Sequence, residues 1–140
     1  MNEAGALIRA ILSPEGRRAG VLQPVSGLAG TGPIGDLDAA IPFLEWLADA
    51  GMGLWQVLPL VPTNPEGSPY STWSTLSGNP DLVGIEGCIE AGLLPPSARL
   101  HTSGGVCYEE TRLRKRPLVL EAARNLVDRP SHPWSVALDA

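Results

Sequence analysis

Trp55-Gln56-Val57-Leu58-Pro59-Leu60 runs directly into Val61-Pro62-Thr63-Asn64-Pro65-Glu66-Gly67-Ser68-Pro69-Tyr70-Ser71-Thr72-Trp73, and the stretch closes on Ser77-Gly78-Asn79-Pro80. A short apolar run that opens at its carboxyl end into a polar, aromatic-bearing loop reads as a buried strand followed by a ligand-facing loop. This is how α/β barrels present small-molecule sites. Pyranose rings have apolar C–H faces that pack on aromatic rings, and a tyrosine hydroxyl can serve the sugar's polar edge. Ser68, Tyr70, Trp73 and Asn79 supply those groups and are the candidate substrate-binding residues. The plainer reading is that Tyr70 and Trp73 pack in a core and that Ser-Pro-Tyr and Gly-Asn-Pro are turns.

Upstream, Ala19 to Val25 is a second short apolar run and reads as the first strand, with Pro24 at its end or on an edge because proline cannot donate a ladder hydrogen bond. Between the two runs, Leu37, Ala40, Ile41, Leu44, Leu47 and Ala48 recur at helical spacing and predict a helix over 37–50. Asp36 or Asp38 can cap its start; Pro42 favours Asp38, and Gly51 follows as a left-handed terminator. The second strand is predicted over Leu54 to Leu60. Strand, helix and strand in succession imply a parallel crossover and an α/β fold. Downstream, residues 86–91 read as a helical turn or two stopped by Gly92, residues 97–107 as loop, and residues 108–126 as a helix that Pro117 either starts or kinks. Residues 1–17 read as a helical N-terminal extension and residues 18–140 as the remaining unit.

Composition limits the function classes. Apolar residues make up 44% of the 140 and charged residues 18%, which favours a packed core over disorder. Gly 16 and Pro 14 together exceed a fifth of the chain, so long irregular connections join that core. A net charge of −5 argues against a nucleic-acid partner. No run approaches the roughly 18 apolar residues that a membrane helix needs. Glu3 and Arg9 interrupt the N-terminal stretch, unlike a secretory leader, so the expected location is cytoplasmic. Cys88, Cys107, His101 and His132 do not fall at zinc-ligand spacing, so free thiols, no metal and no cofactor are expected.

Arg112-Leu113-Arg114-Lys115-Arg116 reads as a solvated helix face balanced by Glu109, Glu110 and Glu121 rather than a nucleic-acid patch. Trp46, at helical spacing with Phe43 and Ala50, reads as core, and Trp55 as packing.

A dinucleotide site is the alternative. Gly30, Gly32 and Gly35 match G-x-G-x-x-G between a strand and a helix. Against it, Pro33 removes an amide, Asp36 sets negative charge beside the phosphate, and Leu60-Val61-Pro62-Thr63 stands where the ribose-binding carboxylate belongs.

Gly20-Val21-Leu22, Pro24-Val25-Ser26, Gly35-Asp36-Leu37, Phe43 with Trp46-Leu47, Ala50-Gly51, Trp55 to Leu60, Pro62-Thr63, Ser68-Pro69-Tyr70 and Ser77-Gly78-Asn79-Pro80 occur in that order. Taken together they resemble the N-terminal part of amylomaltase, the 4-α-glucanotransferase also called disproportionating enzyme. The likeness is densest from Arg18 to Pro80 and thins through Val106, Tyr108, Lys115 and Pro117 to Ala122. The resemblance implies a retaining transferase on a (β/α)8 TIM barrel, of which this chain would hold the first two βα units and the start of an inserted helical region. It implies an α-1,4-glucan or maltooligosaccharide as substrate, with Tyr70 stacking on donor sugar and Ser68 and Asn79 shaping the same rim. Where the family usually has an acidic or amide residue this chain has Gly67, and where it has glutamine this chain has Ser71, so two polar contacts to sugar are missing.

Retaining glycoside chemistry requires two carboxyl groups about 5 to 5.5 Å apart. Of the 15 acidic residues, Asp36, Asp38, Glu66, Asp81 and Glu86 lie near the predicted rim, but in loops or at helix starts. By the resemblance, the catalytic carboxylates follow later strands, and none can be assigned here. A closed barrel takes about 250 residues. The sequence is therefore expected to be the opening segment of such a protein, with the remainder of the barrel as its partner. The alternative from the binding class is an inactive α-glucan-binding fragment.

Overall fold

The computed structural model describes residues 18–30, 32–101 and 107–138. The expected helical extension over 1–17 and the middle of the 97–107 loop lie outside them. Two parallel strands, β1 (Gly20–Leu22) and β2 (Leu54–Gln56), pair with Gly20 opposite Leu54, Val21 opposite Trp55 and Leu22 opposite Gln56. Hydrogen bonds from Gly53 N to Ala19 O (2.9 Å) and from Gln23 N to Gln56 O (3.0 Å) extend the ladder at both ends. Both strands are shorter than the sequence predicts, and proline explains it. Pro24 has no N–H to donate and leads into a 3-10 turn at Val25–Gly27. Beyond Gln56 β2 has no ladder partner, because β1 has already turned away. The strands are also not the buried ones expected: Leu22, Leu54, Val57 and Leu60 are all exposed.

The crossover carries a 3-10 turn (Leu37–Ala39) and helix α1 (Ala40–Asp49), closed by Gly51 at φ 70°. Asp36, not the favoured Asp38, caps this segment: its Oδ1 accepts the Asp38 N–H at 3.2 Å. The start falls earlier because a 3-10 turn precedes the α-helix, which leaves Pro42 within the first turn of α1. Asp38 caps another helix instead, accepting the N–H groups of Glu86 (2.9 Å) and Gly87 (3.1 Å) at the start of α2 (Ile85–Glu90).

Among the described residues, two apolar clusters hold the elements together. Val25, Leu28, Ile34 and Leu82 form the first, with Phe43 of α1, Trp55 of β2 and Tyr108 around them. Trp55 packs there as expected, edge-on to Phe43 at 5.0 Å with its Nε1 donating to Gln23 O at 2.8 Å. Trp46 does not join the core. It stacks on Phe43 at the surface and is 57% exposed. Ile85, Cys88, Leu93, Leu94, Leu100 and Ala122 form the second cluster beneath α3 (Tyr108–Val127), and α4 (Pro133–Leu138) follows. Pro117 lies inside α3 rather than at its start. Cys88 and Cys107 are free thiols. Among the described residues, no helix is long and apolar enough to cross a membrane, and no group of three His, Cys, Asp or Glu side chains could hold a metal ion.

A layer of buried charge lies between the clusters, and it corrects the reading of the basic run. Lys115 is buried, with Nζ donating to Asp36 Oδ2 at 2.6 Å and to Asp81 O at 3.1 Å. Arg112 and Arg116 converge on the fully buried Asp81, at 3.3 Å to Oδ2 and 2.8 Å to Oδ1. Arg114, paired with Glu110 at 2.6 Å, behaves as the solvated face predicts, and Arg116 is as exposed as Arg114 although its guanidinium reaches in to Asp81. Residues 112, 115 and 116 share one side of a helix, and buried carboxylates on the facing loops draw that side inward.

Candidate functional site at the carboxyl ends of the strands

The chain leaves the carboxyl ends of β1 and β2 through Gln23–Ser26 and Val57–Thr63. Beneath these segments lies a cavity of about 150 Å3, lined in part by Ser26, Thr63, Gly67, Asn79 and Tyr108. Tyr108 Oη donates to Ser26 Oγ at 3.2 Å, so the first turn of α3 reaches the loop that follows β1.

Above the cavity, residues 63–71 close into a compact loop organised by Asn64. Its Oδ1 accepts the Ser68 N–H (2.9 Å), its N–H donates to Ser71 O (3.0 Å), and its carbonyl accepts the Gly67 N–H (3.0 Å). This is the local hydrogen bonding that makes asparagine a turn residue. Gly67 is buried at φ 84°, and a Cβ there would lie 2.6 Å from the Tyr108 ring. Only glycine combines a left-handed backbone with so close an approach. Gly67, one of the departures seen in the sequence, therefore sits where any side chain would require the Tyr108 ring to shift.

Of the candidate residues, Tyr70 and Trp73 stand out on the surface of this loop, each 74% exposed, which removes the reading of them as core. Ser68 is half-buried, its N–H held by Asn64. Asn79 lies at the base, buried, lining the cavity with Oδ1 accepting the Asp81 N–H at 3.0 Å. The structure therefore places two aromatic rings outside and two polar residues beneath them. Arg112, Asn64, Ser26 and Tyr108 were missed from sequence. Asn64, flanked by Thr63 and Pro65, carries a turn signal; Tyr108 and Arg112 meet the loop only through tertiary packing.

The nearby carboxylates are all engaged. Asp36 pairs with Lys115, Asp81 with two arginines, and Glu86 with Arg99 at 2.8 Å, which lowers the Glu86 carboxyl below its ordinary value. Glu66 accepts from Asn64 Nδ2 at 3.4 Å. Burial, and next the charge of Asp36, raise the Asp38 carboxyl, opposed by its two amide donors and by Lys115. Asp36, Asp38, Asp81 and Glu86 thus tie elements of the fold together, whereas Glu66 is exposed on the loop.

Among its described residues, the glycine loop commits the Gly35 amide and its helix start elsewhere than to a phosphate. Gly35 donates its N–H to Ser26 O at 2.9 Å, and the Asp36 carboxylate already occupies the start of the following helical segment. Thr31 lies outside the described residues.

Comparison with known proteins agrees with this geometry. The pattern of the 4-alpha-glucanotransferase family matches residues 23–134, further along the chain than the motifs alone carry it. The chloroplastic/amyloplastic 4-alpha-glucanotransferase of Arabidopsis thaliana is 37% identical over 126 residues, covering 88% of this chain and 22% of that protein. The 4-alpha-glucanotransferase of Synechocystis is 44% identical over 111 residues, covering 76% of this chain and 22% of that protein. Amylomaltase from Streptococcus agalactiae in complex with acarbose superposes with a TM-score of 0.72 at 26% identity, over 87% of this chain and 26% of that one. The chain spans about a fifth of the length of the curated relatives it matches.

Proposed function

Because this chain belongs to the 4-alpha-glucanotransferase family, we propose that it carries the donor-side sugar-binding rim of such an enzyme, with Tyr70 as the principal contact. The single observation behind this is the pair of aromatic rings, Tyr70 and Trp73, each 74% exposed on a loop that is otherwise tied down by hydrogen bonds. Large rings held in water on an ordered loop lose burial energy unless a ligand covers them. The C–H face of an α-1,4-linked glucose unit is such a cover, and Ser68 below offers a hydroxyl to its polar edge. The two parallel strands and α1 are read as the first two βα units of a (β/α)8 barrel, whose sites lie at the carboxyl ends of its strands.

Transfer of a glucan segment by double displacement needs a nucleophilic carboxylate and an acid/base partner. The carboxylates around this rim are committed to Lys115, Arg112, Arg116, Arg99 and backbone amides. We therefore assign this chain the holding of donor glucan and not the bond-breaking step. Incubated with maltotriose, it is expected to release no glucose and form no longer maltodextrins; clear disproportionation would refute the assignment. Titrated with maltoheptaose, the wild-type chain is expected to change its tryptophan emission, and Tyr70→Ala to abolish the change without lowering the melting temperature. A response that survives in Tyr70→Ala would move the site elsewhere.

A further inference from the structure

We propose that Arg112 is a positioning residue for this rim, holding the sugar-facing loop from beneath. Its guanidinium meets four oxygens: Thr63 Oγ1 at 2.9 Å, Asn64 O at 2.6 Å, Pro65 O at 2.7 Å and Asp81 Oδ2 at 3.3 Å. It also sits 5.7 Å from the centre of the Tyr108 ring, the ring that packs against Gly67. Arg112 thus fixes the carbonyl of the residue that organises the loop, and its planar fork reaches two successive carbonyls at once.

The far side of the clamp is equally well anchored. Asp81 is fully buried and receives Arg116 on both carboxylate oxygens, at 2.8 and 3.2 Å, while Lys115 holds its carbonyl. Asp81 therefore keeps a charged partner when Arg112 is removed, and the chain is expected to fold without it. What is lost is the tie between α3 and residues 63–65. Asn64 is then free to move, and with it the hydrogen bonds to Gly67, Ser68 and Ser71 that set the position of Tyr70.

The inference rests on the glucan reading only for its consequence, and two readouts keep them apart. Amide hydrogen exchange tests the clamp alone. In Arg112→Ala the amides of Gly67 and Ser68 and of Asn64 are expected to exchange at least about tenfold faster, with α1 and α2 unchanged. Arg112→Lys is expected to restore little, since one ammonium cannot span the same oxygens. Arg116→Ala, which leaves Arg112 in place, is expected to leave loop exchange as in wild type. Maltoheptaose titration tests the consequence: affinity falls at least about tenfold in Arg112→Ala and stays near wild type in Arg116→Ala. Unchanged loop exchange in Arg112→Ala overturns the clamp, whatever the sugar does. Faster loop exchange with undiminished affinity overturns the positioning role. If the wild-type chain does not respond to maltoheptaose, the glucan reading fails, and the exchange result still decides the clamp.

Discussion

Lys115 illustrates how a residue's role depends on what faces it. Its ammonium is buried against Asp36 at 2.6 Å, so removing it strands a carboxylate in a dry layer between the two clusters. Lys115→Met is expected to destabilise the chain by about 3–5 kcal/mol, measured by urea denaturation. A loss under about 1 kcal/mol, the range of a surface pair, would show that water reaches the site. Gly67→Ala is the second sensitive position. It combines φ 84° with a Cβ 2.6 Å from the Tyr108 ring and is expected to cost about 1–3 kcal/mol while displacing the loop. Tyr70 and Trp73 could be singled out as candidates for a sugar because their residue types sit in a turn-rich loop after an apolar run, and their exposure fits that expectation. The basic run was not legible. Four cations in five residues look solvated until the carboxylates opposite are known, and Asp36 and Asp81 lie far away in sequence.

At the scale of elements, boundaries followed local chemistry wherever one residue decides them. Gly51 follows the end of α1 and Gly92 that of α2, as read from sequence, although α1 closes at Asp49 rather than Ala50 and α2 covers Ile85–Glu90 rather than 86–91. Helix starts were harder, because two aspartates two residues apart both offered caps, Pro42 favoured Asp38, and only the fold shows that Asp36 caps the segment while Asp38 serves α2 across space. That contact gives a pH signature. With its carboxyl raised by burial and by Asp36, the folded chain holds the Asp38 proton more tightly than the unfolded chain does. Asp38 therefore contributes stability in acid that fades as the pH rises from its unfolded value, about 3.9, through the raised one. Wild type is expected to lose melting temperature relative to the non-titrating Asp38→Asn as the pH rises through that window. A gap that instead grows in favour of wild type would show that the two amide donors outweigh burial. Strand lengths could not be read from apolar runs alone, since a strand extends only as far as its partner, and Pro24 ends the partner early.

At the scale of the whole molecule, a parallel pair of strands carries exposed apolar residues on the sheet and on α1, including Leu22, Leu54, Ile41, Leu44 and Trp46. Such surface promotes association. Sedimentation equilibrium is expected to show concentration-dependent self-association that Leu22→Lys with Trp46→Lys reduces. The family was legible because its motifs keep their order along the chain, whereas the ties from α3 to the rim form only in the folded chain. The central claim, that the loop after β2 holds glucan, is tested most directly by amide chemical shifts of the labelled chain titrated with maltoheptaose. Shifts confined to residues 67–76, and lost in Tyr70→Ala, are expected. Shifts centred on Gly30 to Gly35, or none along the 67–76 loop at saturating sugar, would contradict it.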